Sequence, residues 1–216
     1  MKNPHAKQIA AFQGYDVIYA DCPWDFDVWN KDTGSGRSPI SHYSVMTLEE
    51  ICAIPVKSLA AANCALFFWA VYPRLFDAKT VMDAWGFTYK TLGFEWVKMN
   101  TSGKGWHVGM GYYSRANPEP CLLAVRGNMP VAVHDERNLL TTYEDEMFGL
   151  PLIAKVREHS RKPNEAYAKI ERLYPNTRRL ELFARRPHTG WDALGNGIDG
   201  QDIFVAIDER IKRANS

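Results

Sequence analysis

The feature that most constrains this chain is a short apolar strand that runs directly into Asp21-Cys22-Pro23-Trp24. Within Asp16–Ala20, Val17, Ile18 and Tyr19 form an unbroken apolar run, the pattern of a central strand buried on both faces. Pro23 has no N–H to donate, so strand pairing must stop there. Such a strand belongs in an α/β sheet, and its carboxyl end is the edge where open α/β sheets bind ligands. An isolated Asp-x-Pro-Trp is as readily a surface turn capped by its own Asp. The tetrapeptide therefore needs support from the rest of the chain.

Its chemistry is specific. The exocyclic amine of a nucleobase is a poor nucleophile because its lone pair is delocalised into the ring. Two acceptors aimed at its hydrogens favour the pyramidal form, whose lone pair is free to attack. Asp21 offers a carboxylate, and the backbone carbonyl of Cys22 offers the second acceptor. Trp24 offers a flat face for an extruded base, worth about 1–3 kcal/mol. Pro23 stiffens the turn.

With 216 residues, 46% of them hydrophobic, one well-cored domain over 1–216 is expected. A net charge of +1 excludes a strongly basic nucleic-acid binder, so any such contact must be a local patch. Cys22, Cys52, Cys64 and Cys121 show neither disulfide nor metal spacing. Free thiols and the absence of a signal peptide lead to the expectation of a cytoplasmic protein, in a bacterial or phage-infected cell. The apolar run Cys64–Tyr72 is too short for a membrane span, and no metal is expected.

Along the chain, residues 25–43 are rich in Gly, Ser and Asp and read as a mobile lid over the strand exit. Thr47-Leu48-Glu49-Glu50 fits a capping box, and Pro55 limits that helix. Cys64–Ala70 is a second buried strand. A helix from Pro73 through Trp85 would bury Leu75, Phe76, Met82 and Trp85, with Gly86 ending it. Phe87–Val97 contains strand material broken near Gly93. Residues 98–118 form a second long loop, with Lys98, Lys104 and Arg115 interleaved among Trp106, Tyr112 and Tyr113. That mixture suits a nucleic-acid strand, with charge for phosphate and rings for bases. A solvated Gly-rich loop would read the same way. Cys121–Arg126 is a strand, and residues 127–151 read as a polar excursion from the domain. Leu152–Val156 is a further strand. A helix over about 164–174 carries Ala166, Tyr167, Ile170, Leu173 and Tyr174 as its stripe. Arg179–Phe183 is a strand, and Ile203–Arg213 is either a strand or a helix.

Asp21-Cys22-Pro23-Trp24 resembles the D-P-P-W motif of the MT-A70 adenine-N6 methyltransferases. The likeness extends through Trp96-Val97-Lys98-Met99-Asn100, Gly111-Tyr112 to Arg115 and Glu119, His159-Ser160 to Lys162-Pro163, and Leu180-Glu181-Leu182-Phe183-Ala184-Arg185. It covers about 16–199. Cys22 stands where the family usually has Pro, and a Cys keeps the carbonyl. The resemblance implies a Rossmann-like methyltransferase fold with a doubly wound, mostly parallel sheet in the permuted order, catalytic strand first and cofactor strand late. It implies S-adenosylmethionine as cofactor and N6 of adenine as target. Asp21, Cys22, Pro23 and Trp24 would be catalytic. Asp21, Lys162, Arg185, Asn196 and Tyr43 would hold the cofactor, with Lys162 on its carboxylate. Trp24, Tyr43, Lys98, Asn100, Arg115 and Glu119 would meet the substrate, with Glu119 orienting Arg115 or the target. DNA is the expected partner. RNA, a homodimer or second subunit, and a non-catalytic partner subunit stay open, although such subunits lose the acidic residue that Asp21 retains.

Overall fold

The first strand lies at the middle of the molecule, as its apolar run requires. In a computed structural model, residues 13–25, 45–100, 104–109, 113–141 and 162–215 are described. Among them, β1 (Tyr15–Ala20) pairs in parallel with β2 (Ala60–Trp69) on one side and β6 (Arg179–Leu182) on the other. Val17, Ile18 and Ala20 are fully buried. Burial of a Val or Ile side chain contributes about 1.5–3 kcal/mol, which makes this strand the anchor of the sheet.

The sheet continues through β3 (Thr88–Val97), β4 (Glu119–Arg126), β5 (Leu139–Thr141) and β7 (Asp192–Leu194), in the order β5-β3-β4-β2-β1-β6-β7. Only β4 runs against the other six described strands. Strands that enter late in the chain lie beside the first one, so the order is permuted. The edge beyond β1, β2, β3, β6 and β7 is their carboxyl edge, and β4 begins there.

Both faces are covered. On one face α1 (Leu48–Ala53), α2 (Leu75–Ala84) and α5 (Ile203–Asn215) pack with Ile18, Ala20, Phe68 and Trp85 in one cluster. On the other, α3 (Glu165–Leu173) packs Tyr167 and Ile170 with Val17, Tyr19, Phe67 and Trp69. This is the doubly wound, mostly parallel, Rossmann-like arrangement expected from the sequence.

Local signals hold in detail. Thr47 accepts from the Glu50 N–H and Glu50 reaches back to the Thr47 N–H, so the capping box is complete. Gly86 follows α2 with a φ of 82°, the left-handed conformation glycine adopts without strain. β3 shifts register between Leu92 and Phe94, at Gly93. α5 resolves the last segment as a helix.

Other expectations need correction. Phe76 is 88% exposed, and α2 buries Ala78, Val81 and Met82 instead. Phe76 lies one position off the 75–78–82–85 stripe and faces solvent, whereas Met82 and Trp85 are buried as expected. The described part of 127–151 is not an excursion. Leu139–Thr141 joins the sheet beside β3, and Leu140 is buried. Asp135 and Glu136 pair with Arg172 and Lys169 of α3, pinning the segment down. The lid expected over 25–43, apart from Asp25, and the strand at 152–156 lie outside the described residues.

Candidate active site

β1 hands Asp21 to the carboxyl edge, and the following turn is pinned by backbone. The Trp24 N–H donates to the Cys22 carbonyl at 2.9 Å, and the Met46 N–H donates to the Pro23 carbonyl at 2.9 Å. A Cys in the second position is thus held by its neighbours. Its thiol is buried, and burial pushes it well above the ordinary thiol range. It packs the core rather than reacting. The Cys22 carbonyl keeps one lone pair beyond the bond to Trp24.

Trp24 corrects the expectation of an open stacking platform. It is 5% exposed, edge-on to Phe68 at 5.8 Å, with its indole N–H 3.5 Å from the Trp69 carbonyl. The indole belongs to the core under α1 and α2.

Four charges from distant parts of the chain meet beside Asp21. The Lys162 ammonium lies 2.9 Å from Asp21 Oδ2 and 3.2 Å from Glu119 Oε2. Glu119 also pairs with Lys98. Each lysine lies over an indole, Lys162 at 5.4 Å from the Trp69 ring and Lys98 at 5.0 Å from the Trp96 ring. The quartet balances to zero net charge, the condition under which buried ions are tolerated. Burial pushes the Asp21 carboxyl up, and the Lys162 ammonium opposes it. Burial pushes Glu119 up as well, but Lys162 and Lys98 outweigh it and hold Glu119 below the usual range. Burial lowers Lys162, yet its two carboxylates more than compensate and its ammonium stays charged. Glu119 therefore contacts Lys162 and Lys98, where the expectation was that it orients Arg115 or the target.

Lys162 is positioned by the entry of α3. The Arg186 guanidinium donates to Asn164 Oδ1 at 3.0 Å, tying that entry to the turn after β6. That turn lacks the usual glycines, and Phe183 takes their backbone conformation with a φ of 62°. A bulky residue there costs about 1–3 kcal/mol and marks a functional corner. Arg185 follows and its charge favours the ionised form of Asp21. Asn196 opens the short α4 (Asn196–Asp199), next to Arg185: a Cβ on Gly197 would lie 2.3 Å from the Arg185 Cα. Asp21, Lys162, Arg185 and Asn196 thus share one corner.

The substrate-side residues divide. Lys98 and Glu119 join the quartet, whereas Asn100 donates to the Lys104 carbonyl at 3.0 Å within its own loop. Arg115 is exposed. Tyr43, Gly111 and Tyr112 lie outside the described residues. Sequence reading missed Glu181 on β6. One of its oxygens is buried without a hydrogen-bond partner, and burial pushes its carboxyl up to about 7, against the Tyr167 hydroxyl. A charged residue inside an otherwise apolar strand was the available signal.

A Rossmann-like sheet with a partly buried carboxylate and ammonium paired at its carboxyl edge, and no glycine-rich turn after β1 or β6 among the described residues, fits a methyltransferase. A family model described as MT-A70 matches residues 15–197, and the chain belongs to that family of N6-adenine methyltransferases. The type II methyltransferase M.MunI of Mycoplasma sp is 29% identical over 207 residues, covering 88% of this chain and 81% of the relative. The N(6)-adenosine-methyltransferase MT-A70-like protein of Arabidopsis thaliana is 32% identical over 189 residues, covering 86% of this chain and 24% of the relative. The N(6)-adenosine-methyltransferase catalytic subunit METTL3 of Homo sapiens is 30% identical over 193 residues, covering 86% of this chain and 28% of the relative. The chain thus spans about a quarter of the length of these two larger relatives. Its cofactor is S-adenosylmethionine. The corner fits that group chemically: an ammonium for a carboxylate, carboxylates for cationic centres, and an exposed amide for a ribose diol. No helix among the described residues is long and apolar enough to cross a membrane.

Proposed function

We propose that this protein methylates N6 of adenine in DNA. The observation that carries the reading is the ion pair between Asp21 and Lys162, residues 141 apart in sequence that meet at 2.9 Å on the carboxyl edge. S-adenosylmethionine supplies an electrophilic methyl on a sulfonium. Asp21 and the free lone pair of the Cys22 carbonyl accept the two amine hydrogens, which releases the nitrogen lone pair. Asp21 is also the nearest base for the proton that leaves. Lys162 favours the ionised form of Asp21 against its burial and offers its ammonium to the cofactor carboxylate. Arg185 and Asn196 hold the remainder of the cofactor. A target base in a duplex must first leave the stack, at a cost of a few kcal/mol.

DNA is favoured by the likeness to a type II methyltransferase along most of that protein's length. RNA is the second reading, favoured by relatives whose names specify N(6)-adenosine. Methylation of matched DNA and RNA oligonucleotides with labelled cofactor separates the two. In the same assay Asp21→Ala abolishes transfer while cofactor affinity stays within a few fold. An active Asp21→Ala protein rules the mechanism out.

A further inference from the structure

Within 98–118, the described residues 98–100, 104–109 and 113–118 pair with one another. The Asn100 N–H donates to the Gly105 carbonyl at 3.1 Å, and the His107 N–H donates to the Lys98 carbonyl at 2.9 Å. Met99 and Trp106 form an antiparallel bridge between them. Residues 98–100 and 105–107 therefore pair antiparallel just beyond β3. Asn117 clamps the base of this pairing. Its Oδ1 accepts from the Lys98 N–H at 2.8 Å, and its Nδ2 donates to the carbonyls of Lys98 and His107 at 2.8 and 2.6 Å. Those bonds use the side chain fully, so Asn117 is a structural clamp.

Beside this clamp is an open pocket of about 370 Å³, within the range of small-ligand clefts. Val97, Val108 and Pro118 give it apolar walls. Trp106, 58% exposed, presents its indole, and the exposed Arg115 presents a guanidinium. No carboxylate is among its lining residues. A flat ring and a cation lining one pocket suit a nucleotide, with the base on the indole and the phosphate on Arg115. Two of the pocket's walls are chain neighbours of residues in the catalytic corner. Val97 precedes Lys98 and Pro118 precedes Glu119, and both of those charges lie in the quartet around Asp21.

We propose that this pocket holds the nucleotide adjacent to the target adenine on the same strand. The inference rests on the proposed function and adds a subsite to it. The pocket gives the enzyme a grip on the polymer that an isolated nucleoside cannot supply. It also accounts for two exposed side chains, Trp106 and Arg115, that take no part in the catalytic quartet.

The test is binding of a labelled single-stranded adenine-containing oligonucleotide, read by fluorescence anisotropy. Trp106→Ala weakens binding by about 5- to 100-fold, the range of one base–aromatic stack. Arg115→Ala flattens the salt dependence of log Kd by about 0.7, the loss of one phosphate contact. Trp106→Ala leaves affinity for S-adenosylmethionine and the methylation of free deoxyadenosine unchanged, and unchanged thermal melts of both variants exclude misfolding. Oligonucleotide affinity within twofold of wild type in Trp106→Ala overturns the proposal. So does an equal loss on free deoxyadenosine, or a variant that changes only the sedimenting species and so marks the face as a protein interface. Should the wild type methylate no nucleic acid while Trp106→Ala still loses oligonucleotide binding, the function fails and the pocket stands.

Discussion

At the scale of single residues, Glu181 is the least expected side chain near the site. Its register partner on β1 is Tyr19, and Asp21 two residues later adds a like charge. Burial and that charge raise its carboxyl from an ordinary 4.5 to about 7. The folded state therefore holds a proton that the unfolded chain releases. Stability is full below about pH 4.5, falls as the pH rises towards 7, and is level above it. Glu181→Gln removes this dependence while leaving a partner for Tyr167. The variant is more stable than wild type at pH 8 by about 3 kcal/mol, and the gain vanishes at pH 4. Urea titrations at the two pH values check this, and parallel curves for both proteins would contradict it. Cys22 teaches a related lesson. A Cys in place of Pro reads as a loss of stiffness, but the Trp24 N–H closes the turn from within and the Met46 N–H holds it from outside the tetrapeptide.

At the scale of elements, the exits of β6 and β7 form one packed corner. The Ala184 N–H donates to the Leu194 carbonyl at 3.0 Å, and Gly197 lies directly against the Arg185 backbone. Gly197→Ala would place a methyl group 2.3 Å from the Arg185 Cα, a clash with backbone that only a shift of the corner relieves. The expected cost is about 1–3 kcal/mol of stability, with cofactor affinity lowered at least tenfold. Calorimetric titration with S-adenosylmethionine, beside a thermal melt, checks both. Wild-type affinity in this variant would detach Arg185 and Asn196 from the cofactor. The elements themselves were largely legible. Capping box, strand runs and α3 stripe are local or periodic signals, and those signals act within a few residues. The pairing of 98–100 with 105–107 was not legible, because Asn117 closes it from ten or more residues away. The short β5 was not legible either, because three residues carry no period and only the sheet edge defines them.

At the scale of the molecule, the four charges of the quartet come from four distant segments: the exit of β1, the exit of β3, the start of β4 and the entry of α3. Lys162 is 9% exposed, so it depends on both of its carboxylates. Glu119→Gln leaves two ammoniums with one carboxylate. Removing one partner from such a buried set costs about 3 kcal/mol, and transfer slows because Lys162 is no longer held against Asp21. Urea denaturation together with kcat measures the two effects, and a Glu119→Gln protein as stable and as fast as wild type would refute the linkage. Sequence alone determined that β1 is central, that Asp21 leaves it at the ligand-binding edge, and that Lys162, Arg185 and Asn196 belong to the same likeness. Those conclusions follow from runs, spacing and motifs, which are properties of neighbouring residues. Only the tertiary structure decided what each group touches. It turned Trp24 into the core, set Glu119 on Lys162, and joined Lys98 to Asp21 through two intervening charges. Burial and pairing depend on strands meeting across the sheet, and no local pattern encodes which distant charge will arrive.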